Sequence, residues 1–417
     1  MKKHTYRMAD VQQVRLNDVL ASLQGGCIVA VDVAKAKFAV GLATWAGEIV
    51  QLFRFEHPVQ TGTFLQLVEG LRAGVPPGKL KVALEPTGTY GDALRFQLHT
   101  RQVPIFLVSP KRTHDSQELF DGVPSLHDAK SAALIAKLCA LGLATPDQPE
   151  LPARRQLRAL VEQRSHEQEH REQCLGRMEG LLARHWPEFA QWLDVRESVS
   201  ALRLLAQYGS PARVHRQAEE AKQFLQSVSR GQLSREQLEG TVQGARTTLG
   251  VPMVPQEEDY LRQLAAQALE SMRKMEALEE QMLAFRTDET FARLQPWMGT
   301  FTAAALVTLC PPQQYANAAE LEKACGLNLR EKSSGEHQGR LSITKRGPGL
   351  VRQLLFLFAL RMIRRRRWRP GTSGAAVTRQ IRRSAQSWRS CASWCGRRSM
   401  WREVGRSRRA CFSMSDG

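Results

Sequence analysis

Residues 27–56 read CIVAVDVAKAKFAVGLATWAGEIVQLFRFE, and the fold class rests on how this stretch is parsed. Cys27 to Val33 is an apolar run, Phe38 to Ala43 follows a short lysine-bearing break, and Ile49 to Phe55 follows the Ala46-Gly47 turn. Short runs rich in β-branched residues and bounded by turn residues read as strands. Connections this short suit an antiparallel meander.

Further along the chain, Phe64 to Leu71 has helical spacing, Leu80 to Leu84 is strand-like, Tyr90 to Leu98 is helical, and Val103 to Val108 is a buried strand that stops at Pro110. A helix over Asp128 to Leu143 follows. A three-strand meander succeeded by alternating helix and strand predicts an α/β ribonuclease H-like (RuvC-like) domain over residues 26–147, behind an N-terminal extension at 1–25. Residues 148–290 turn helical and charged, and Arg154 to Arg184 and Glu257 to Phe285 are almost free of glycine and proline. Leu261, Leu264, Leu269, Met272, Met275, Leu278 and Met282 recur at the spacing of one buried helical face. This connector reads either as a helical bundle or as a coiled coil, antiparallel or joining two protomers. Residues 291–370 read as a mainly α C-terminal domain, with helices at Thr302 to Leu309, Ala318 to Cys325 and Leu350 to Met362 around a Gly- and Ser-rich loop.

With 42% hydrophobic and 24% charged residues, the 417-residue chain should fold into two or three compact units. Its most apolar short run, Leu354 to Leu360, is far below the roughly 20 residues that span a bilayer, and the first residues lack a secretory pattern, so a cytoplasmic location without membrane contact is expected. Eight cysteines lie scattered without the spacing of a zinc site, and they read as free thiols. The net charge of +18 would suggest a polyanionic partner, but residues 361–417 hold sixteen arginines against two acids and account for +14 of it. DNA binding must therefore be argued from motifs.

Asp32 ends an apolar strand, and Glu85 does the same after Val82-Ala83-Leu84. In a ribonuclease H-like sheet these strands are neighbours. Two acids at adjacent strand ends, joined by Asp128 at the start of a helix, would make a hard oxygen cage for Mg²⁺. Taken singly, each acid could equally face solvent or cap a turn. The order strand, strand, helix is what raises the metal reading.

The stretches Ala30-Val31-Asp32-Val33-Ala34-Lys35, Ala83-Leu84-Glu85-Pro86-Thr87-Gly88 and His127-Asp128-Ala129-Lys130-Ser131-Ala132 together resemble the first domain of DEDD-type transposases of the insertion-sequence 110 family. A fourth acid is usual three residues after the third, and Ser131 stands there in this chain. Toward the C-terminus, Gly326-Leu327, Ser333-Ser334-Gly335 and Gly339-Arg340-Leu341-Ser342-Ile343-Thr344-Lys345-Arg346-Gly347 are similar to the family's second conserved region. Trp297-Met298-Gly299-Thr300-Phe301-Thr302-Ala303 resembles its helix-hairpin-helix segment, with Trp297 at a position where glycine is usual.

The resemblance implies an enzyme that cleaves and rejoins DNA with Mg²⁺ or Mn²⁺ on Asp32, Glu85 and Asp128. It implies that Ser334 becomes joined to DNA, with Ser333 the weaker candidate, and that Ser131 supports the metal site without charge. It further implies a homo-oligomer, dimer or tetramer, in which the acidic domain of one protomer meets the serine domain of another. A bridge RNA would select the DNA. Read without the family, Ser333-Ser334-Gly335 is a polar loop. Lys111, Arg112, Lys345, Arg346 and Arg352 are the expected backbone contacts, since cations set affinity and register without reading sequence. The competing readings are a metal-dependent, structure-selective nuclease or resolvase, and an inactive remnant that only binds nucleic acid. After Pro370 the chain has no lysine, and arginine, serine, tryptophan and cysteine dominate residues 371–417 without helical or strand period. This irregular tail reads as a GC-rich frame shifted by one base, the alternative being an arginine-rich nucleic-acid arm.

Overall fold

The apolar runs and helical stripes fold as their spacing requires in a computed structural model, which describes residues 7–86, 88–118, 122–124, 127–331 and 341–364. Contacts divide the chain into two compact units that meet between Glu150 and Leu151.

In the first unit, β1 (Ala9–Asp10), β2 (Cys27–Asp32), β3 (Lys37–Thr44), β4 (Ile49–Glu56), β5 (Leu80–Leu84), β6 (Ile105–Leu107) and β7 (Thr145–Pro146) form one sheet in the order β1-β4-β3-β2-β5-β6-β7. The 27–56 stretch is the antiparallel meander its turns predict, with Val31 opposite Val40 and Asp32 opposite Ala39. β5 then pairs parallel to β2, Val31 opposite Leu84, and β6 pairs parallel to β5. Parallel pairing needs crossovers. They are supplied by α2 (Thr61–Gly74) and α3 (Asp92–Thr100). Residues expected to stand ahead of the domain are instead built into it: β1 pairs with β4, and Val11, Val19 and Leu23 are buried in the core beside α1 (Leu16–Leu20). The chain leaves β6 through α4 (Pro110–Asp115) and reaches α5 (Asp128–Ala140).

Strand alternation sorts side chains onto two faces. Val29, Val31, Val40, Leu42, Phe53, Phe55, Val82 and Leu84 pack with Phe64, Val68, Leu71, Leu94 and Leu98 from the crossover helices. Ile28, Ala30, Ala43 and Ala83 face the other way, against Ile135, Ala136 and Cys139 of α5. Ala39 and Leu52 join them, meeting Ala129 and Ala132. Small residues dominate this second face and let the helix come close. A methyl group at Gly41 would already sit 3.5 Å from the Ala132 backbone.

In the second unit α6 (Pro152–His185) leads to a group of short helices, α7 (Phe189–Trp192), α8 (Val199–Tyr208), α9 (Pro211–Arg216), α10 (Ala218–Ser229) and α11 (Arg235–Arg246), before α12 (Pro255–Met282) returns along it. α6 and α12 run antiparallel within one chain. Arg164 pairs with Glu279 at 2.9 Å, the Ser271 hydroxyl donates to Glu167 at 2.8 Å, and Cys174 meets Gln267 at 3.6 Å, so later residues of one helix meet earlier residues of the other. The stripe read from sequence is buried at Leu261, Leu264 and Met282, whereas Met275 and Leu278 are only half-buried. The short helices close a core around Trp186, Phe189, Leu202 and Leu205. A second core, around Phe291 and Phe301, joins the base of α6 and α12 to α13 (Glu289–Met298), α14 (Thr300–Leu309), α15 (Ala318–Ala324) and α16 (Gly349–Arg364). β8 (Leu329–Arg330) and β9 (Ser342–Ile343) form a short antiparallel pair between α15 and α16. Among the described residues no helix is long and apolar enough to cross a membrane.

Candidate active site

Asp32 is the last residue of β2, two positions beyond Ala30, so the pleat turns it toward the α5 face. Glu85 follows Leu84 by one residue and Ala83 by two, which places it on the same face of the neighbouring strand. Asp128 is the first residue of α5, whose N-terminus lies over that face. His127 caps the helix, its Nδ1 accepting from the Lys130 N–H at 3.3 Å. Acids from three segments distant in sequence are thus brought to one face, because two parallel strands end together and a helix starts above them.

Their charges register the convergence. Burial raises the Asp32 carboxyl, and the nearby charges of Glu85 and Asp128 raise it further, from 3.8 to about 7. A half-buried carboxylate facing two others holds its proton unless a cation replaces it. Among the described residues no group of three His, Cys, Asp or Glu side chains is placed to hold a metal ion. The acids couple through charge without being clenched. As donors they are hard oxygens, which fit Mg²⁺ or Mn²⁺ and not a thiolate-seeking metal. Ser131 is half-buried one helical turn after Asp128, where it can supply a hydroxyl and no charge.

One residue on this helix escaped the sequence reading. Lys130 is 1% exposed, and its ammonium donates to the Val123 carbonyl at 2.7 Å, tying the segment before α5 to the helix. A buried lysine is costly without partners. Its only trace in the sequence is its place between Ala129 and Ala132 on the apolar side.

The basic residues separate into two kinds. Lys111 forms an ion pair with Asp115 at 2.7 Å, which holds the Asp115 carboxyl below its usual range, and Arg112 donates to the Leu143 carbonyl. Lys345 and Arg346 are exposed in the turn after β9, Lys345 in left-handed backbone at φ 56°. Arg352, expected to touch DNA, spends its guanidinium on the Arg346 and Gly347 carbonyls at 3.3 and 2.6 Å. The serine candidates Ser333 and Ser334, like the tail 371–417, lie outside the described residues. In sequence the serines fall between β8 and β9. Ahead of them α13 and α14 meet at Gly299, φ 86°, beside a Trp297 side chain that is 72% exposed.

Residues 29–187 match the DEDD transposase family model of IS110, described as a transposase, and residues 295–373 match the model described as the transposase IS116/IS110/IS902 family. Together the two matches cover more than half of the chain. No curated protein matches it.

Proposed function

The chain belongs to the IS110 family of DEDD transposases, enzymes that cleave and rejoin DNA, and on that premise we propose that Asp32, Glu85 and Asp128 form its cleavage site and Ser334 its joining nucleophile. The family implies a divalent metal, typically Mg²⁺. The observation that carries the reading is the parallel pairing of β2 with β5, Val31 opposite Leu84, which sets Asp32 and Glu85 at adjacent strand ends beneath the start of α5; burial and the charges of Glu85 and Asp128, which raise the Asp32 carboxyl, support it.

Asp32, Glu85 and Asp128 would hold Mg²⁺ or Mn²⁺ between them, with the Ser131 hydroxyl in support. When bound, the cation supplies charge neutralisation at the scissile phosphate. The protein's own part is positional. β2 and β5 fix two carboxylates on a rigid sheet, α5 adds the third, and Lys130 anchors the segment that leads into it. Ser334 would attack the phosphodiester, its proton passing to a base brought by the acidic unit; the Ser334 O–P bond would form as the P–O bond to one deoxyribose breaks, and the departing oxygen would take up a proton to leave a free hydroxyl, with Ser333 the weaker candidate. Lys345, Arg346, Lys111 and Arg112 would meet backbone phosphates. Arg352, whose guanidinium also holds the turn after β9, would stand with them. Bridge-RNA guidance, assembly as a dimer or tetramer with the acidic unit of one protomer serving the serine unit of another, and a cytoplasmic site of action complete the proposal.

The test is cleavage by purified protein with Mg²⁺ or Mn²⁺, followed by peptide mapping of any protein–DNA adduct. Asp32→Ala and Glu85→Ala should each abolish cleavage, and Ser334→Ala should abolish the adduct. Full activity in the first two, or an undiminished adduct in the third, overturns the assignment. Ser131 favours one other reading, a remnant that binds nucleic acid without cutting it. Metal-dependent cleavage by the unaltered chain excludes that reading, and Ser131→Asp should tighten metal binding if the serine has replaced a ligand.

A further inference from the structure

The end of the sheet away from the acids carries a different chemistry. Trp45 follows the last residue of β3 and is half-buried. Lys79, just before β5, and Lys81, within it, hold their ammonium groups over its ring, 4.9 and 4.3 Å from the centroid. Lys81 also lies 5.2 Å from the centre of the Phe106 ring, and the Lys137 ammonium of α5 donates to the Ala46 carbonyl at 3.4 Å. Among the described residues none of these three ammonium groups has a carboxylate partner. We propose that Lys79, Lys81 and Lys137, gathered around Trp45, form a second nucleic-acid site that takes backbone phosphates away from the cleavage site.

Close packing builds the cluster. Gly26, at φ 126°, faces the ring, and a methyl group there would lie 2.9 Å from Trp45 Cε3 and 3.0 Å from Lys79 Cβ. The Cys27 N–H donates to the Lys79 carbonyl at 2.7 Å and fixes that approach. Gly47, at φ 83°, presses on α5, where a methyl group would lie 2.8 Å from Ala140 Cβ and 3.0 Å from Lys137 Cδ. Both positions need a residue that is free of a Cβ and at ease in left-handed backbone. They bring the start of β5 and the last turns of α5 to the same tryptophan and the turn after it.

The charges so gathered are not balanced from within. An aromatic face attracts a cation without neutralising it. The C-terminus of α5 contributes only about half a negative charge. Three ammonium groups therefore share a small region with little to oppose them, and an arriving anion relieves their repulsion. The family acts on DNA, a chain of such anions, and the proposal rests on that membership and not on the assignment of Asp32 or Ser334. Lys81 stands opposite Ile28 while Asp32 ends the same strand β2, a separation of about 13 Å at the rise of a strand. The lysines thus grip backbone beyond the reacting phosphate. Their loss should change affinity and leave the chemistry as it is.

The experiment acetylates the lysines of the full chain, alone and with duplex DNA, single-stranded DNA or single-stranded RNA of one sequence, and with polyglutamate as an acidic control. Modified peptides are mapped by mass spectrometry. Lys79, Lys81 and Lys137 should be protected together by nucleic acid, and the strand type that protects best identifies DNA or RNA as the source of the phosphates. Unchanged acetylation of all three while nucleic acid is bound, or equal protection by polyglutamate, overturns the proposal. In the triple variant Lys79→Gln, Lys81→Gln, Lys137→Gln, the slope of log affinity against log salt should become shallower by roughly two to three. An unchanged slope refutes the site, and protection in the unaltered chain decides it even if the variant fails to fold. Protected lysines in a protein that does not cleave would sink the cleavage reading and leave this site standing.

Discussion

Asp32 is under tension between folding and function. Its folded pKa, about 7, lies above the ordinary aspartate value of 3.8, so the folded state holds this proton more tightly than the unfolded chain does. The stability that this provides is present below the unfolded value and is lost as pH rises to about 7. In chelator, Asp32→Asn should therefore raise the melting temperature at pH 8 and change it little at pH 4. One pKa unit is worth ~1.4 kcal/mol, so after screening at this half-open site the gain should be on the order of 1–3 kcal/mol. Thermal melts at both pH values check it, and equal melting of the two proteins at pH 8 would refute the charge cluster. Metal affinity, measured by calorimetry, should rise with pH up to about 7 as the competing proton is lost. Lys130→Met tests the other buried charge. It leaves the Val123 carbonyl without this donor and should cost about 1–3 kcal/mol in denaturant melts, with weaker metal binding. Unchanged stability and affinity would show that Lys130 does not hold the entry to α5.

Among the elements, α5 matters because its N-terminus carries Asp128 and its body must lie close to the sheet for that acid to meet Asp32. The closeness comes from Ala39, Gly41 and Ala43 facing Ala129, Ala132 and Ala136. A methyl at Gly41 would stand 3.4 Å from Ile49 and 3.5 Å from Ala132, contacts that a small shift absorbs. Gly41→Ala should thus retain cleavage, whereas the branched carbons of Gly41→Val should lift α5 and cost about 1–3 kcal/mol as well as most metal affinity. Denaturant melts and metal titration of the two variants check this. Equal metal affinity in Gly41→Val and the unaltered protein would mean that helix spacing does not set the site.

For the whole molecule, charge is unevenly spread, since residues 361–417 carry +14 of the +18. The family match ends at residue 373, close to Pro370, where lysine has vanished and the helical period stops. If the tail is a shifted reading frame, truncation at Pro370 should leave metal-dependent cleavage intact and lower nonspecific DNA affinity. The slope of log affinity against log salt should also become shallower. Binding isotherms at several salt concentrations check it. Loss of specific cleavage on truncation, together with the same tail in close relatives, would establish it as a functional arm.

The local elements were legible in the sequence because spacing and turn residues act over a few positions. The meander from 27 to 56, the strand Leu80–Leu84, the long helices and the helix opening at Asp128 all lie within a few residues of where periodicity places them. The family motifs were legible for the same reason, as short contiguous strings. What only the tertiary structure decided is whatever depends on residues far apart meeting. The pairing of β1 with β4 draws the N-terminal residues into the core, and α6 pairs with α12 of its own chain. Arg352 turns to carbonyls five and six residues back. The raised pKa of Asp32 belongs here too, because it measures burial and the distance to two other charges. A sequence pattern specifies which face of an element is apolar; which partner covers that face is settled only when the elements compete for contact.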